Sequence, residues 1–196
     1  MKRVFDILFS LTVLVLFLPF GLVISIMILL SSKGGVFYTQ TRIGKNKKPF
    51  PLLKFRSMKI ESDKQGKLTV GMNDKRITKI GVFIRKYKLD EFPQFVNVLK
   101  GDMSIVGPRP EVEEYVNLYS EKELKILDVK PGITDYASLE YFRENELLAK
   151  SKDPEKTYIN EIMPNKIALN YKYLKNPTLL HDFKIIFKTI LKIIKN

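Results

Sequence analysis

The chain has 196 residues, a formal net charge of +13, no cysteine and a single histidine. This length fits one domain with at most one added membrane element, and the missing cysteines exclude disulfides, thiolate metal sites and a cysteine nucleophile. The excess of basic residues predicts an anionic partner, but charge alone leaves nucleic acid, an anionic membrane surface and a diphosphate substrate open.

Residues 7–30 contain no charged side chain and are long enough, at 1.5 Å per residue in a helix, to cross a hydrocarbon core of roughly 30 Å. The run is too long for a signal peptide, so we expect it to be retained. Pro19 lies near its centre, and Lys2, Arg3 and Lys33 flank both ends. Hydropathy alone favours a spanning helix that tolerates the proline, whereas the proline and the basic flanks also fit a re-entrant helix whose ends share one side.

Two short apolar runs, at 36–40 and 50–55, follow Gly34 and Gly35 and predict a small hairpin or two short strands. On a strand, Lys54 and Arg56 would point to one face and Phe55 to the other. A solvated edge strand protected by charge would show the same alternation, so this pattern alone does not identify a site.

The segment 61–79 is polar and glycine-containing, and we interpret it as a surface loop that closes over a site as a lid. Helical spacing resumes at 78–88. One face of this predicted helix carries Ile80, Phe83, Ile84 and Tyr87, while Arg85 points elsewhere.

Two adjacent carboxylates, Asp90 and Glu91, precede Pro93, which suits the first turn of a helix because its missing N–H costs nothing there. The acids are therefore predicted at the N-terminus of a helix that runs to about Leu99 and stops at Gly101. Its predicted buried face consists of Phe92, Phe95, Val96 and Leu99.

Arg109 lies between two prolines, Pro108 and Pro110, whose fixed φ angles would hold the guanidinium rigidly enough for a bidentate grip on phosphate. Paired acids beside such an arginine indicate phosphate chemistry. With one histidine in the chain, base and nucleophile roles fall to carboxylates, and a divalent metal would be an oxygen-preferring ion such as Mg²⁺. An ordinary N-cap followed by a stiff turn explains the same residues, and spacing alone does not decide between the two interpretations.

The C-terminal half predicts mostly scaffold. A helix is expected over 111–119, and Ser120 with Glu123 has the pattern of a capping box that opens a second helix to about Leu127. The charged stretch 140–146 is interpreted as a solvated helix. An amphipathic helix is predicted over 179–194, with a lysine stripe opposite apolar residues, which fits a membrane interface and a core helix equally well.

Several of these motifs together resemble the bacterial sugar transferases, the monotopic phosphoglycosyl transferase family. The longest match comprises Asp90, Glu91, Gln94, Asn97 to Leu99, Gly101 to Ser104 and Val106 to Pro110. Further matches are Gln40, Arg42, Gly44, Lys54, Phe55, Ser57, Met58, Arg85, the segment 130–134 and Asp182. The chain departs from the family pattern at Leu18-Pro19, commonly Ser-Pro, at Asp135-Tyr136, often Gly-Trp, and at Asn170, often aspartate.

The resemblance implies an α+β fold: a small, mostly helical cytoplasmic catalytic domain at 34–196 with a short β element and amphipathic interfacial helices. A re-entrant membrane helix at 1–33, broken at Leu18-Pro19, would precede it. The expected location is the cytoplasmic face of the bacterial inner membrane. The expected partners are the membrane and its undecaprenyl phosphate and a UDP-sugar, not nucleic acid, and association of the chain with itself is left open.

The implied activity is transfer of a sugar-1-phosphate from a UDP-sugar to undecaprenyl phosphate, with release of UMP, as the first membrane step of bacterial glycoconjugate synthesis. The resemblance implies that Asp90 is the nucleophile and the Mg²⁺ ligand and that Glu91 orients or deprotonates the second nucleophile. The implied substrate-binding residues are Lys54, Arg85, Arg109 and Pro110. The alternative from another class is a membrane-anchored, non-catalytic basic protein that binds nucleic acid or anionic lipid.

Overall fold

The computed structural model describes residues 1–62, 66, 68–71 and 74–195. The helices are α1 Lys2–Ser31, α2 Lys79–Lys86, α3 Gln94–Lys100, α4 Glu113–Val116, α5 Glu121–Leu124, α6 Tyr136–Glu140, α7 Glu144–Ala149, α8 Pro154–Thr157, α9 Met163–Leu174 and α10 Leu179–Ile194. The strands are β1 Phe37–Ile43, β2 Pro49–Phe55, β3 Ser104–Val106 and β4 Gly132–Thr134. The predicted α+β class is confirmed. Part of the lid predicted at 61–79 (63–65, 67 and 72–73) lies outside the described residues.

Two separate two-stranded sheets form the β structure of the described residues. β1 and β2 pair antiparallel, with Phe37 opposite Phe55 and Ile43 opposite Pro49, which confirms the predicted hairpin. β3 and β4 pair in parallel, and the sequence did not predict this sheet because strands of three residues carry no measurable alternation. A Cβ added at Gly132 would lie 2.1 Å from the backbone nitrogen of Gly107, so glycine at 132 lets the two backbones approach closely.

The buried apolar residues fall into three clusters. One lies between the end of β1, α4 and α9, and a second lies where β2, α3, β3 and α10 meet. The third joins α1 to β2 and α2 through Ile24, Ile28, Phe55, Ile80 and Ile84. The N-terminal helix is therefore packed into the domain core and is not merely tethered to it.

α1 is a single helix of 30 residues, about 45 Å long, that runs through Pro19 without interruption. This corrects the expectation of a break at Leu18-Pro19. Proline removes only one helix hydrogen bond, and the backbone hydrogen bonds before and after Pro19 continue the helix here. Within the part of the chain that the structure describes, α1 is the one helix long and apolar enough to cross a membrane, and most of its apolar side chains are exposed.

The first turns of α1 are attached to the domain by charged side chains. Arg3 donates hydrogen bonds to the carbonyl oxygens at the end of α3, at 2.6 Å to Val98 and 3.0 Å to Leu99. Asp6, which is 3% exposed, accepts hydrogen bonds from the Ser104 hydroxyl at 2.9 Å and from the Ile105 amide at 3.2 Å. Because its carboxylate is satisfied by β3, the end of α1 cannot leave the domain without uncovering a buried charge.

A second charged contact links α1 to α10. The Lys2 ammonium pairs with the carboxylate of Asp182, which is 1% exposed and also accepts a hydrogen bond from the Tyr173 hydroxyl at 2.6 Å. Asp182 was matched to a family position from the sequence, without a role. It holds the first residues of α1 against the C-terminal helix.

Arg56 attaches the other end of α1. β2 ends at Phe55, so the strand alternation does not extend to Arg56, and its guanidinium turns away from Lys54 toward the last turn of α1. It donates hydrogen bonds to carbonyl oxygens at and after the end of the helix, at 2.8 Å to Ser32 and 2.7 Å to Gly35, with a further bond to Lys33. A cation at a helix C-terminus satisfies orphan carbonyl groups and complements the dipole.

The remaining helices confirm some expectations and correct others. Ile80 and Ile84 of α2 are buried as expected, but Phe83 is 49% exposed because it lies on the outer face. α4 begins only at Glu113, since Glu111 is held outside the helix by a bridge to Ile43 and an ion pair with Arg42.

The capping box and the C-terminal helix were predicted correctly. Ser120 and Glu123 cap α5, but the helix ends at Leu124 and continues as a 3₁₀ turn to Asp128. α10 has the predicted bounds. It buries Asp182 and Ile185 and leaves Phe187 and Ile194 exposed, so one apolar side of this helix is not covered by the domain.

Replacing Arg56 with methionine should lower the free energy of unfolding by about 3 kcal/mol, because several charge-assisted hydrogen bonds disappear and the carbonyl groups of residues 32–35 are left without their donor. Arg56→Lys should have an intermediate effect. Chemical unfolding in detergent micelles measures both. Lys152→Met, at an exposed position, is the control. If Arg56→Met is no less stable than this control, the guanidinium does not hold the helix end.

Candidate active site

The two predicted acids lie in a 3₁₀ turn, Leu89–Glu91, just before α3 and not inside it. The chain enters this turn through Lys88, whose φ of 57° lies in the left-handed region, and leaves it through Pro93 at the N-cap of α3. Gly101, with φ 95°, ends α3 as expected. The left-handed residue turns the chain so that consecutive carboxylates project into one cavity.

The face of α3 that is most deeply buried differs from the predicted one. Gln94, Asn97 and Val98 are at most 2% exposed, whereas the predicted apolar residues are only partly buried. The apolar residues face α1, where Phe92 stacks on Phe17 with ring centroids 3.7 Å apart. The periodicity was recognised correctly, but the sequence did not show that a second, polar face of α3 packs against β2.

Asn97 is a positioning residue that the sequence matched without assigning it a role. Its amide donates to the Pro51 carbonyl at 2.8 Å and to the Asp102 carboxylate at 3.2 Å, and its side-chain oxygen accepts from the Leu53 amide at 3.0 Å. These contacts fix α3 against β2. Because Lys54 follows Leu53 on that strand, they also set the position of Lys54 relative to the two acids.

Glu91 is held by two cations. The Arg109 guanidinium contacts both carboxylate oxygens, with one bond of 3.2 Å from Nη1 to Oε2 and a shorter one from Nη2 to Oε1. The Lys54 ammonium lies 3.7 Å from Oε1. The planar guanidinium therefore makes a two-pronged contact with a carboxylate in this structure, and the predicted grip on phosphate stays a prediction.

Asp90 has a different environment although it is the neighbouring residue. It is 6% exposed, and no described residue donates a hydrogen bond to its carboxylate. Burial, together with the charge of Glu91, raises the pKa of Asp90, and this effect is opposed by Lys54 and Arg85. The result is a desolvated carboxylate that faces the cavity with its oxygen atoms available.

The electrostatics separate the two acids. Burial alone would raise the pKa of Glu91, but Arg109 and Lys54 outweigh it and hold that pKa well below its usual range. Glu91 in turn raises the pKa of Arg109. Burial lowers the pKa of Lys54 from 10.5 to about 8, although Glu91 acts in the opposite direction. Adjacent carboxylates with opposite pKa shifts are typical of sites in which the two have different roles.

The backbone of the arginine loop, residues 107–110, is fixed by the side chain of Asp135. The amide of Arg109 donates to the carboxylate of Asp135 at 3.2 Å, and Asp135, fully buried, also caps α6 by accepting from the Ser138 amide at 2.6 Å. The residue that departs from the family pattern at position 135 therefore contacts the backbone of Arg109 directly. Arg85 contacts the Ser57 hydroxyl at 3.4 Å on the other side of the site.

One cavity of about 940 Å³ is lined by Lys54, Arg85, Asp90, Glu91 and Arg109. The structure thus brings five of the six predicted site residues together. Pro110 is not among the residues that line this cavity. It lies behind Arg109, and its carbonyl oxygen is 3.4 Å from the guanidinium of Arg42.

The cavity has a further polar wall that sequence reasoning missed. Arg143, Glu144 and Glu146, interpreted as part of a solvated stretch, line it together with Lys166. Lys166 pairs with Glu144 at 2.9 Å and contacts the Tyr158 hydroxyl at 3.4 Å. No sequence signal pointed to Lys166, because α9 brings it to the cavity through packing that is distant in the chain.

The acids that line the cavity fit only a metal ion that takes most of its ligands from substrate phosphates and water. Among the described residues no group of three or more His, Cys, Asp or Glu side chains could hold a metal ion. Both oxygens of Glu91 are engaged by Arg109, which leaves the Asp90 carboxylate. Mg²⁺ commonly uses one or two carboxylates and completes its shell with substrate phosphates and water, so Asp90 together with a bound diphosphate fits this ion.

Comparison with known proteins identifies the relatives of the chain. The sequence profile of a family described as bacterial sugar transferase matches residues 1–196. A Bacillus subtilis protein provisionally named undecaprenyl-phosphate N-acetylgalactosaminyl 1-phosphate transferase is 54% identical over 110 residues, 56% of this chain and 62% of that protein.

Two further relatives match nearly the whole chain. The UDP-glucose:undecaprenyl-phosphate glucose-1-phosphate transferase of Escherichia coli is 38% identical over 98% of this chain and 40% of its own length. The UDP-N-acetylgalactosamine-undecaprenyl-phosphate N-acetylgalactosaminephosphotransferase of Aeromonas hydrophila is 38% identical over 96% of this chain and 42% of its own length. The chain therefore spans between about two fifths and three fifths of the length of these three relatives.

Lys54 should become reactive toward an acylating reagent at unusually low pH, because only the neutral amine reacts and burial lowers its pKa to about 8. Mass spectrometry after brief acetylation at a series of pH values measures this. Glu91→Gln should shift the half-point of the profile to still lower pH, since Glu91 raises the pKa of Lys54. The exposed Lys152 is the internal reference, and identical profiles for the two lysines would contradict this account of the site.

Proposed function

Because the chain belongs to the bacterial sugar transferase family, we propose that it moves a sugar-1-phosphate from a UDP-sugar to undecaprenyl phosphate and releases UMP. The observation that carries the proposal is the environment of Asp90. A buried carboxylate without a hydrogen-bond donor among the described residues lies in one cavity with Lys54, Arg85 and Arg109, and the same cavity continues between apolar helices. This combination fits a phosphate-transfer nucleophile that meets one polar and one lipid substrate.

In the first step, an oxygen of Asp90 attacks the β-phosphorus of the UDP-sugar. A bond forms between the carboxylate oxygen and phosphorus, the bond from phosphorus to the bridging oxygen breaks, and UMP leaves with the electron pair. Burial favours this reaction because a desolvated carboxylate need not shed hydration before it attacks. The sugar phosphate is then held as an acyl phosphate on Asp90.

In the second step, a phosphate oxygen of undecaprenyl phosphate attacks the same phosphorus. The bond to Asp90 breaks, the carboxylate is regenerated, and the product is undecaprenyl-diphosphate-sugar. An acceptor phosphate that enters as the dianion brings no proton, and one that enters as the monoanion releases its proton to water. The same cations can serve both steps, because in each step the negative charge develops on the oxygen atoms bonded to the same phosphorus.

Arg109, Arg85 and Lys54 supply the positive charge around the phosphates in this proposal. Glu91 aligns two of them through its ion pairs. Its lowered pKa makes Glu91 a weak base, so orientation of the cations is the role that the geometry favours over deprotonation of the acceptor. Asp90 would also hold Mg²⁺ together with the donor phosphates, and the ion would neutralise charge on the leaving group.

The relatives support this class of reaction, since two of their names specify undecaprenyl phosphate and a UDP-sugar as substrates. Those names contain different sugars, glucose and N-acetylgalactosamine. The comparisons give no support to the alternative of a non-catalytic basic protein that binds nucleic acid or anionic lipid. UMP release from a panel of UDP-sugars, measured with undecaprenyl phosphate and Mg²⁺ in detergent, tests the proposal and identifies the sugar. Absence of UMP release with every donor would overturn it.

We further propose that α1 attaches the chain to the cytoplasmic face of the bacterial inner membrane with both of its ends on that side. The support is that the domain holds both ends: Arg3 and Asp6 contact α3 and β3 at one end, and Arg56 contacts the carbonyl groups at the other. A helix that crossed the membrane would carry one of these buried charged groups away from its partners.

Asp90→Asn should abolish UMP release, because the amide keeps the size of the side chain but is neither a nucleophile nor a good metal ligand. Rapid-quench measurement of UMP in the first turnover, without acceptor, isolates the step in question. Equal recovery of variant and wild-type protein in the membrane fraction is the control for folding. A first-turnover burst of wild-type amplitude would exclude Asp90 as the nucleophile.

Arg109→Lys should lower kcat/KM by about 100-fold even though the charge is kept, because an ammonium cannot contact two oxygens in one plane. Steady-state kinetics with the UDP-sugar varied measures the effect. Arg143→Lys makes the same chemical change on the outer wall of the cavity and should be much milder. If Arg109→Lys and Arg143→Lys have equal kinetic parameters, Arg109 is only a turn residue and does not bind the phosphate.

A cysteine in an N-terminal tag and Lys33→Cys should both be labelled from the cytoplasmic side only, since the chain has no cysteine of its own. Pro19→Leu should leave this pattern unchanged, because α1 already runs through Pro19 and its ends are held by the domain. Membrane-impermeant maleimide applied to intact and opened cells measures the sidedness. Labelling of the two cysteines from opposite sides would show that the helix spans.

A further inference from the structure

The cavity that contains the two acids has a second, apolar half. Its lining residues divide by structural element: the charged ones come from β2, α2, the turn before α3, the arginine loop, the segment 143–146 and α9. Most of the apolar ones come from α1, α3, β3, β4 and α10, and Val82 of α2 and Ala137 of α6 are among the others. At about 940 Å³, the cavity is near the upper end of the range for small-molecule sites, about 300–1,000 Å³, so it offers room beyond a diphosphate group.

Two helices provide facing apolar stripes in this half. On α1 the lining residues recur with helical spacing at Phe9, Val13, Leu16 and Phe20, and on α10 they recur at Ile186, Ile190 and Ile193. The helices approach each other at one end, where the rings of Phe5 and Phe183 have centroids 4.9 Å apart. The two stripes therefore belong to one groove between α1 and α10.

The short parallel sheet lies at the base of this groove. Ile105 of β3 and Ile133 of β4 line the cavity between the two helices. A hydrogen bond of 2.7 Å between the hydroxyls of Thr134 and Thr189 ties β4 to α10, and both residues line the cavity. Since Thr189 donates its proton to the Ile185 carbonyl at 2.8 Å, Thr134 is the donor in the contact between the two threonines.

We propose that this groove binds the first isoprene units of polyprenyl phosphate, with the phosphate at the end that contains Asp90 and Glu91. The proposal rests on the proposed function. The argument is one of complementarity. An anionic head fits beside Arg85, Arg109 and Lys54, and a branched hydrocarbon fits between stripes of isoleucine and phenylalanine. The exposed apolar surface of α1 continues outward from the groove. The remaining isoprene units of the ligand could therefore pass into the membrane without crossing a polar surface.

The groove assigns a role to residues that the charged site does not use. Ile190 is 47% exposed although it lines the cavity, so its side chain is available to a ligand. On the same helix Leu191 and Ile194 are 37% and 74% exposed but do not line the cavity. These two pairs of positions, Ile190 with Ile193 and Leu191 with Ile194, allow a matched comparison on one helix.

The test compares the double variants Ile190→Ala/Ile193→Ala and Leu191→Ala/Ile194→Ala. The acceptor is geranyl phosphate in detergent micelles, because this short chain contains only the isoprene units that the groove would hold. The groove variant should raise the KM for geranyl phosphate by about tenfold, because it removes several methyl and methylene groups that would pack against the isoprene units. The control variant should leave it within about twofold of wild type, since its side chains lie outside the groove.

A second measurement separates acceptor binding from everything else. The first-turnover burst of UMP with UDP-sugar alone requires no acceptor, so the groove variant should keep its rate and amplitude while transfer to geranyl phosphate weakens. Loss of the burst in this variant would point to damage of the whole site and overturn the proposal. Failure of wild-type protein to release UMP from any UDP-sugar would instead refute the proposed function itself.

Other outcomes would also decide the matter. Equal increases in KM for both double variants would show that α10 acts only by inserting into micelles or membranes, and the groove would not be the acceptor site. An unchanged KM in the groove variant would exclude the groove directly. If a phospholipid of matched charge competes with geranyl phosphate in wild type and competes less well in the groove variant, the groove holds an ordinary acyl chain and the proposal is overturned.

Discussion

The ion pairs of Glu91 are the interaction on which the rest of the site depends. Through Arg109 and Lys54, this carboxylate joins the arginine loop, the strand β2 and the turn before α3, which are far apart in the chain. A buried salt bridge contributes little net stability by itself, because desolvation of the charges offsets their attraction. Its effect here is to fix positions. The cavity is lined by seven cationic and four acidic side chains, so its charge is suited to an anion.

The same logic of buried charge applies to the N-terminal helix. Proline in an apolar run suggested a break, but α1 continues through Pro19 and its geometry is instead set by charged groups at its ends. Asp6 and Arg56 are 3% and 6% exposed, and each satisfies backbone or hydroxyl partners in a different element. Because an unpaired buried charge is costly, these contacts keep a helix with an apolar outer face from separating from the rest of the domain. The proposed membrane attachment and the geometry of the candidate active site would thereby be coupled through β2 and β3.

The sequence predicted those features that depend on local chemistry. The hairpin, the α10 bounds, the capping box at Ser120 and the glycine that ends α3 were all confirmed, because turn residues and periodicity determine them. Features that depend on contacts distant in the chain were missed. Pairing of β3 with β4 carries no local signal, and the polar face of α3 at Asn97 could not be identified without β2 beside it. The arrival of Lys166 at the cavity depends in the same way on how α9 packs.

In the proposed reaction, this arrangement would let a chain of this size serve two substrates of opposite character. The acids lie where the charged and apolar halves of the cavity meet, since Phe92 directly follows Glu91 and stacks on Phe17 of α1. In that reaction the donor would occupy the charged half first, and its departing nucleotide would then clear that half for the acceptor phosphate. If the nucleophile itself holds the sugar phosphate between the steps, the two substrates need not be bound at once. A single cavity at the edge of the apolar surface is then sufficient, and a second site for the lipid phosphate is not required.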